Sequence, residues 1–185
     1  MVIQEAAGRA ADQRVQTNRQ YATFFVDGLF FGVEVLQVQE VLKYQEMTPV
    51  PLAPDVIEGL INLRGQIVTA VDMRRRLKLK PRPEGQTPMN TVVRTAEGAI
   101  SLLVDEIGDV LEVEGETFEA TPDNVDPAAR ELLRGVYKLK DRLLLILDTE
   151  KTVNLTAGGH ASLGENPVRS TKFMPPRGKP VQGDL

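Results

Sequence analysis

The chain has a single histidine, His160, and no cysteine, and these two facts limit the chemistry its sequence could do. Thiolate metal sites and disulfides are excluded. His160 stands alone in a glycine-rich stretch, where an imidazole neither completes a metal site nor serves as a base held against a nucleophile. Ser101, Ser162 and Ser170 have no histidine near them in sequence. Asp105, Glu106 and Asp109 form an acidic group, but without the central glycine and terminal glutamate of a calcium loop. No glycine-rich loop leads from a strand into a helix with a following Lys and Ser or Thr, so a phosphate cradle has no support. Isolated carboxylates are frequent and discriminate nothing, glycosidase-like pairs included. The expectation is a non-catalytic protein with no metal and no cofactor.

What remains is recognition by charge and shape. Between Arg64 and Arg82 lie seven bases (Arg64, Arg74, Arg75, Arg76, Lys78, Lys80, Arg82) and one acid, Asp72. Between Asp105 and Asp126 lie nine acids (Asp105, Glu106, Asp109, Glu112, Glu114, Glu116, Glu119, Asp123, Asp126) and no base. This segregation reads either as two solvated segments or as a bipolar surface that orients partners. Arg64 falls at a turn tip, where a guanidinium serves solubility or grips a carboxylate or a helix C-terminus. Glu40 is a solvated glutamate or the partner of Arg64 or of an external base. Val38 reads as a core residue before a partner contact. A second reading of the basic run Arg74 to Lys80 is a nucleic-acid-binding β-barrel. Against it stand the lack of interleaved aromatics and the net charge of −4.

These residues need elements to position them. Gly59 to Asp72 reads as two short apolar strands joined by a tight turn at Arg64-Gly65, with Gly65 supplying positive φ. Asp72 caps a short basic helix from Met73 to Leu77. The unit recurs 76 positions later: Gly59 falls on Gly135, Leu63 on Leu139 and Asp72 on Asp148, and the turn becomes Lys140-Asp141. Tyr21 to Val26, the Asp27-Gly28 turn and Leu29 to Val33 predict an opening hairpin, mirrored by Thr91 to Thr95, Glu97-Gly98 and Ala99 to Val104. Phe31 to Leu42 aligns at an offset of 69 with Ile100 to Leu111. Val35, Val38, Val41 and Leu42 recur at helical spacing, with Glu34, Gln37, Glu40 and Lys43 opposite, which predicts a short amphipathic helix. Pro54 to Glu58 reads as a helical turn, Asp126-Pro127 caps another, and Thr149 to Leu155 reads as a last short helix.

With 185 residues, 42% of them apolar, the chain suits one domain with tails. Residues 1–19 read as a flexible N-terminal arm, 20–155 as the folded domain with a proline-rich linker near 80–89, and 156–185 as a disordered tail or interaction arm. No run has signal-peptide or membrane-span character, so a cytoplasmic location is expected. Leu143 to Leu147 is apolar at every position, which calls for cover on both faces. The expected fold is mostly β, two small antiparallel barrels packed on a shared apolar interface with short helices; a single sandwich competes with it.

The patterns Phe24-Phe25-Val26, Phe31-Gly32-Val33, Val38-Gln39-Glu40-Val41, Thr48-Pro49-Val50-Pro51, Gly59-Leu60-Ile61-Asn62-Leu63-Arg64-Gly65 and Val71-Asp72-Met73-Arg74, with Val104 to Val110 later, resemble the CheW family of bacterial chemotaxis coupling proteins. The resemblance covers about residues 20–155, and Asn-Leu-Arg-Gly is its most specific part. It implies two five-stranded barrels of SH3-like type. It implies an adaptor that bridges the cytoplasmic tip of a methyl-accepting chemoreceptor to the regulatory domain of the histidine kinase CheA, with similar copies alternating in rings. It also implies location in the cytoplasm at membrane-associated arrays, without membrane insertion or nucleic-acid binding. The receptor helix is then expected in an apolar groove beside Val38. The coupling residues it implies are Val38, Glu40, Gly59 and Arg64, with Asn62, Leu63 and Gly65 completing the turn motif. Met73 stands where the family usually has Leu, a volume-conserving change.

Overall fold

The computed structural model describes residues 19–113 and 118–154. The expected tail, 156–185, and all of the expected arm, 1–19, but Arg19 lie outside them. Alternating apolar runs form the opening hairpin, β1 (Arg19–Val26) and β2 (Leu29–Glu34). After it come β3 (Val38–Leu42), β4 (Ile57–Leu63) and β5 (Gln66–Asp72), then α1 (Met73–Arg76). The second half repeats the series. It has β6 (Met89–Thr95), β7 (Gly98–Val104), β8 (Glu106–Val113) and the short β9 (Phe118–Glu119). Then come α2 (Pro127–Arg130), β10 (Leu133–Lys138), β11 (Leu143–Leu147) and α3 (Thr149–Val153). The two caps read from sequence, Asp72 and Asp126, are in place, and Asp148, the repeat equivalent of Asp72, is a third: each accepts a backbone N–H from the first turn of the helix that follows.

The strands form two sheets with matching orders, β8-β1-β2-β11-β10-β9 and β3-β6-β7-β5-β4. Strand for strand, β8 corresponds to β3, β1 to β6, β2 to β7, β11 to β5 and β10 to β4. The repeat halves exchange their opening hairpins: β1 and β2 join the second half, and β6 and β7 join the first. All pairings are antiparallel except one parallel pair in each sheet, β2 with β11 and β5 with β7. The two barrels are thus interleaved along the chain, and neither corresponds to one half of it.

Two-faced strands explain the packing. In β11, Leu144 and Ile146 pack with Tyr21, Val113 and Tyr137 inside the first barrel, while Leu145 and Leu147 face the other way. In the second barrel Ile61, Leu63, Val68 and Val92 fill the interior. Between the barrels a larger cluster joins Phe24, Phe31, Val71, Met73, Leu102 and Leu145, among others. This is the shared apolar interface expected from the all-apolar strand at Leu143 to Leu147. The two ring pairs Phe24–Phe31 and Tyr21–Tyr137, with centroids 5.9 and 5.5 Å apart, lie on opposite sides of the first sheet, one in each cluster.

The helix expected over Val35 to Lys43 is absent. A single 3-10 turn, Val35–Gln37, leads into strand β3. In β3 Val38, Glu40 and Leu42 are half-buried while Gln39 and Val41 are exposed, the period-two alternation of a strand. The apolar spacing that fits a helix over 35–42 is produced by a turn followed by an edge strand with an outward valine and an inward glutamate. Pro54 to Glu58 makes one turn, closed by Ile57 N–H donating to the Pro54 carbonyl, and then enters β4.

Candidate functional site

The seven residues singled out from sequence fall on one seam of the second barrel. Val38 and Glu40 lie on β3, and Gly59, Asn62 and Leu63 on β4, the two edge strands of the five-stranded sheet. Arg64 and Gly65 form the turn between β4 and β5. Beyond β3 the chain swings across so that Thr48 pairs with Leu60, through N–H to carbonyl bonds of 2.9 and 2.8 Å in the two directions. That bridge closes the barrel.

Each residue has a local reason for its type. Gly59 has no room for a side chain: a Cβ there would lie 2.7 Å from the Thr48 carbonyl oxygen and 3.1 Å from the Met47 Cβ. Its repeat partner Gly135 is crossed in the same way by Phe118 and Glu119 of β9, and both glycines sit at register shifts in their ladders. Arg64 and Gly65 have φ of +53° and +88°, so the tip is a two-residue turn with both central residues left-handed. Asn62 stabilises it: its Oδ1 accepts the Gly65 N–H at 2.9 Å. Leu63 is buried among Ile61, Val68 and Val92, which makes it a core residue beneath the tip and not a surface contact.

Arg64 projects from this tip with 86% of its side chain exposed, and its Nη2 donates to Glu40 Oε2 at 3.1 Å. The Glu40 side chain is only 17% exposed, so the carboxylate is presented on one side alone. The pair spans from one edge strand to the turn beyond the other. The corresponding residues of the second half, Asp109 and Lys140, form no ion pair among the described residues. Val38 is half-buried and packs against the inter-barrel core. An apolar groove lies away from Val38. Its volume is about 690 Å³, and its lining includes Phe25, Leu29, Phe30, Leu79, Val125 and Leu143.

The two charged runs meet at one point, because the fold brings Asp105, the first acid of one run, onto the other run. Arg74 donates from Nε and Nη2 to the Asp105 carboxylate at 2.9 and 2.8 Å and reaches Asp27 at 3.2 Å. Arg82 bridges Asp105, at 3.2 Å, and Asp72, at 3.3 Å. The Arg74 and Asp105 side chains are 8% and 7% exposed. Burial by itself would raise the Asp105 carboxyl, but the Arg74 guanidinium, the Asp27 amide and Arg82 together hold it below the usual aspartate value. Hydrogen bonding to Asp105 raises Arg74 further, against the cost of burial. The cluster ties α1 and the proline-rich linker to the β1–β2 turn and to the β7–β8 junction, so it fastens one barrel to the other. The sequence signal for it is an aspartate directly after an apolar strand, Asp72 after Val71 and Asp105 after Val104.

Two more bases of the run are also engaged. Arg75 pairs with Glu58 at 2.7 Å, and Arg76 donates to the carbonyls of Lys151 and Thr152 at 2.9 Å. Lys78 and Lys80 remain exposed. Two lysines do not make a nucleic-acid stripe. Ser101 is fully buried and donates to Asn90, the bond of a structural hydroxyl. Among the described residues no three His, Cys, Asp or Glu side chains are grouped to hold a metal ion.

Residues 20–157 match the CheW-like domain family. The chain belongs to this family. CheW-like relatives include the chemotaxis protein CheW of Klebsiella aerogenes, 28% identical over 136 residues, covering 74% of this chain and 82% of the relative. The chemotaxis protein CheW of Bacillus subtilis is 29% identical over 143 residues, covering 76% and 90%. Among solved structures, the scaffolding protein TtCheW of Thermoanaerobacter tengcongensis superposes with a TM-score of 0.68 at 24% identity, over 75% of this chain and 94% of that one. The fold of this CheW-like domain is thus mostly β and of the SH3-like type. Its residues beyond 157 lie outside the family match.

Proposed function

We propose that this CheW-like chain is a non-catalytic cytoplasmic adaptor that couples methyl-accepting chemoreceptors to the histidine kinase CheA in membrane-associated arrays. The coupling surface is the β3–β4 seam. Arg64 and Glu40 carry its charge, and Val38 supplies the apolar contact. Gly59, Asn62, Leu63 and Gly65 hold the tip in shape. The observation that carries this reading is the exposed Arg64 on a rigid turn, oriented by a largely buried glutamate and lacking a counterpart in the other half of the repeat. A guanidinium held this way presents its remaining donors to a carboxylate or to a helix C-terminus, which suits the helical receptor tip. Similar copies, or the kinase's regulatory domain of like fold, then extend the contact into rings.

The test is co-purification of the full chain with a receptor-tip fragment and with the kinase regulatory domain. Binding to both supports the adaptor; binding to neither by a folded chain contradicts it.

A further inference from the structure

The apolar groove lies at the junction of the barrels and uses none of the seven seam residues. Its floor is aromatic: Phe25 and Phe30 pair with ring centroids 4.7 Å apart, and Arg142 lies 5.1 Å above the Phe30 ring. Leu29, Leu79, Val125 and Leu143 line it further. At about 690 Å³ it has room for several side chains. The charged residues that line it are Asp126, Asp141 and Arg142, and Arg142 already pairs with Asp141 at 3.3 Å. The rim therefore carries one net negative charge.

The chain beyond the described residues contains a segment of matching chemistry. Residues 169–179 read Arg-Ser-Thr-Lys-Phe-Met-Pro-Pro-Arg-Gly-Lys, with four cations and no acid. The core of this segment, Phe173-Met174-Pro175-Pro176, is its only large apolar stretch. Pro-Pro favours an extended left-handed helix that packs on aromatic floors at little entropic cost, and Met fits irregular apolar gaps with favourable contacts to rings.

The point of departure is also favourable. Arg76 donates to the carbonyl of Asn154, the last described residue, at 3.4 Å, and its neighbour Leu77 lines the groove. The last described residue is thus tied to α1, whose C-cap Leu77 lines the groove. From Asn154 to Phe173 are 19 residues, an extended reach of about 60 Å, and closing a loop of this length costs little more than closing a shorter one.

We infer that the segment Lys172–Arg177 is the occupant of this groove in the free protein, with Phe173 and Met174 on the Phe25–Phe30 floor and the flanking Lys172 and Arg177 toward Asp126 and Asp141. The tail then acts as an internal ligand that covers the barrel junction until a competitor displaces it. This inference does not depend on the adaptor reading.

The native chain has no cysteine, so Ser170→Cys in the full-length protein gives a unique site for a nitroxide label. The expected result is selective paramagnetic loss of amide signals from Leu29, Leu79 and Val125, abolished when Phe173→Asp is added, with no change in melting temperature. Two outcomes overturn the inference. One is no selective loss, or a loss that survives Phe173→Asp. The other is an equal loss when isotope-labelled, nitroxide-free chain is mixed with labelled Ser170→Cys chain, because docking would then be between molecules.

Discussion

The Arg64 guanidinium and the Glu40 carboxylate meet at 3.1 Å across the seam where the five-stranded sheet closes. Because Arg64 is 86% exposed, solvent screens the pair and it adds at most about 1 kcal/mol to stability. Its effect is on orientation: it fixes the rotamer of a long side chain at a rigid tip. Arg64→Ala should therefore shift the denaturant midpoint only slightly. A loss of several kcal/mol would make Arg64 a structural residue.

Glycine at 59 answers to close approach of another segment, and at 135 close approach is joined by a φ of +158°. Gly59→Ala places a methyl 2.7 Å from the Thr48 carbonyl oxygen and should cost about 1–3 kcal/mol, as overpacking does. Hydrogen exchange should locate the damage: the Thr48 and Leu60 amides, which close the barrel, should lose protection before the β6–β7 ladder does. Gly135→Ala should do the same to the β9–β10 pairing.

Asp105 binds two arginines in the joint between the barrels. Its folded pKa lies below that of the unfolded chain, about 3.9. The unfolded state therefore takes up the proton first as acid is added. The stabilisation is complete above the unfolded value and is lost as the pH falls through the folded one. Asp105→Asn should cost about 1.5–3 kcal/mol near neutrality, because Arg74 then keeps only Asp27, and Arg82 only Asp72, as an ionic partner. It should also flatten the acid limb of the stability curve, read by urea unfolding at a series of pH values.

Arg74 and Arg76 are both committed within the fold, and this argues against the nucleic-acid reading. A labelled single-stranded oligonucleotide should show no salt-dependent binding at low ionic strength. Retention that falls with salt and is lost in a Lys78→Ala, Lys80→Ala double variant would restore that reading.

Much of this architecture is legible in the residues, and for local reasons. A cap such as Asp72 or Asp126, a turn such as Arg64-Gly65 and a strand apolar at every position at Leu143 to Leu147 each depend on near neighbours. The repeat is legible because it duplicates whole units, including the two glycines. What sequence spacing misreads is set by distant partners. β3 looks helical because Val41 faces out and Glu40 faces in, and only closure against Arg64 explains an inward charge on an edge strand. The exchange of hairpins between halves leaves no local mark. The charged runs look like two surfaces because nothing near Asp105 in sequence reveals that Arg74 and Arg82 converge on it. At the seam, Glu40 and Arg64 were identifiable as partners, while Leu63 is a buried support for the turn.

The central claim is that the seam is a coupling surface on a scaffold that folds without it. Equilibrium binding of the full chain and of Arg64→Asp to a receptor-tip fragment and to the kinase regulatory domain, with thermal unfolding of both proteins, tests this most directly. The account predicts tight binding by the native chain, and at least about tenfold weaker binding by the variant to one partner or both, corresponding to 1.4 kcal/mol, with a cooperative melt retained. Unchanged affinity for both partners in a folded variant, or loss of the cooperative melt, would contradict it.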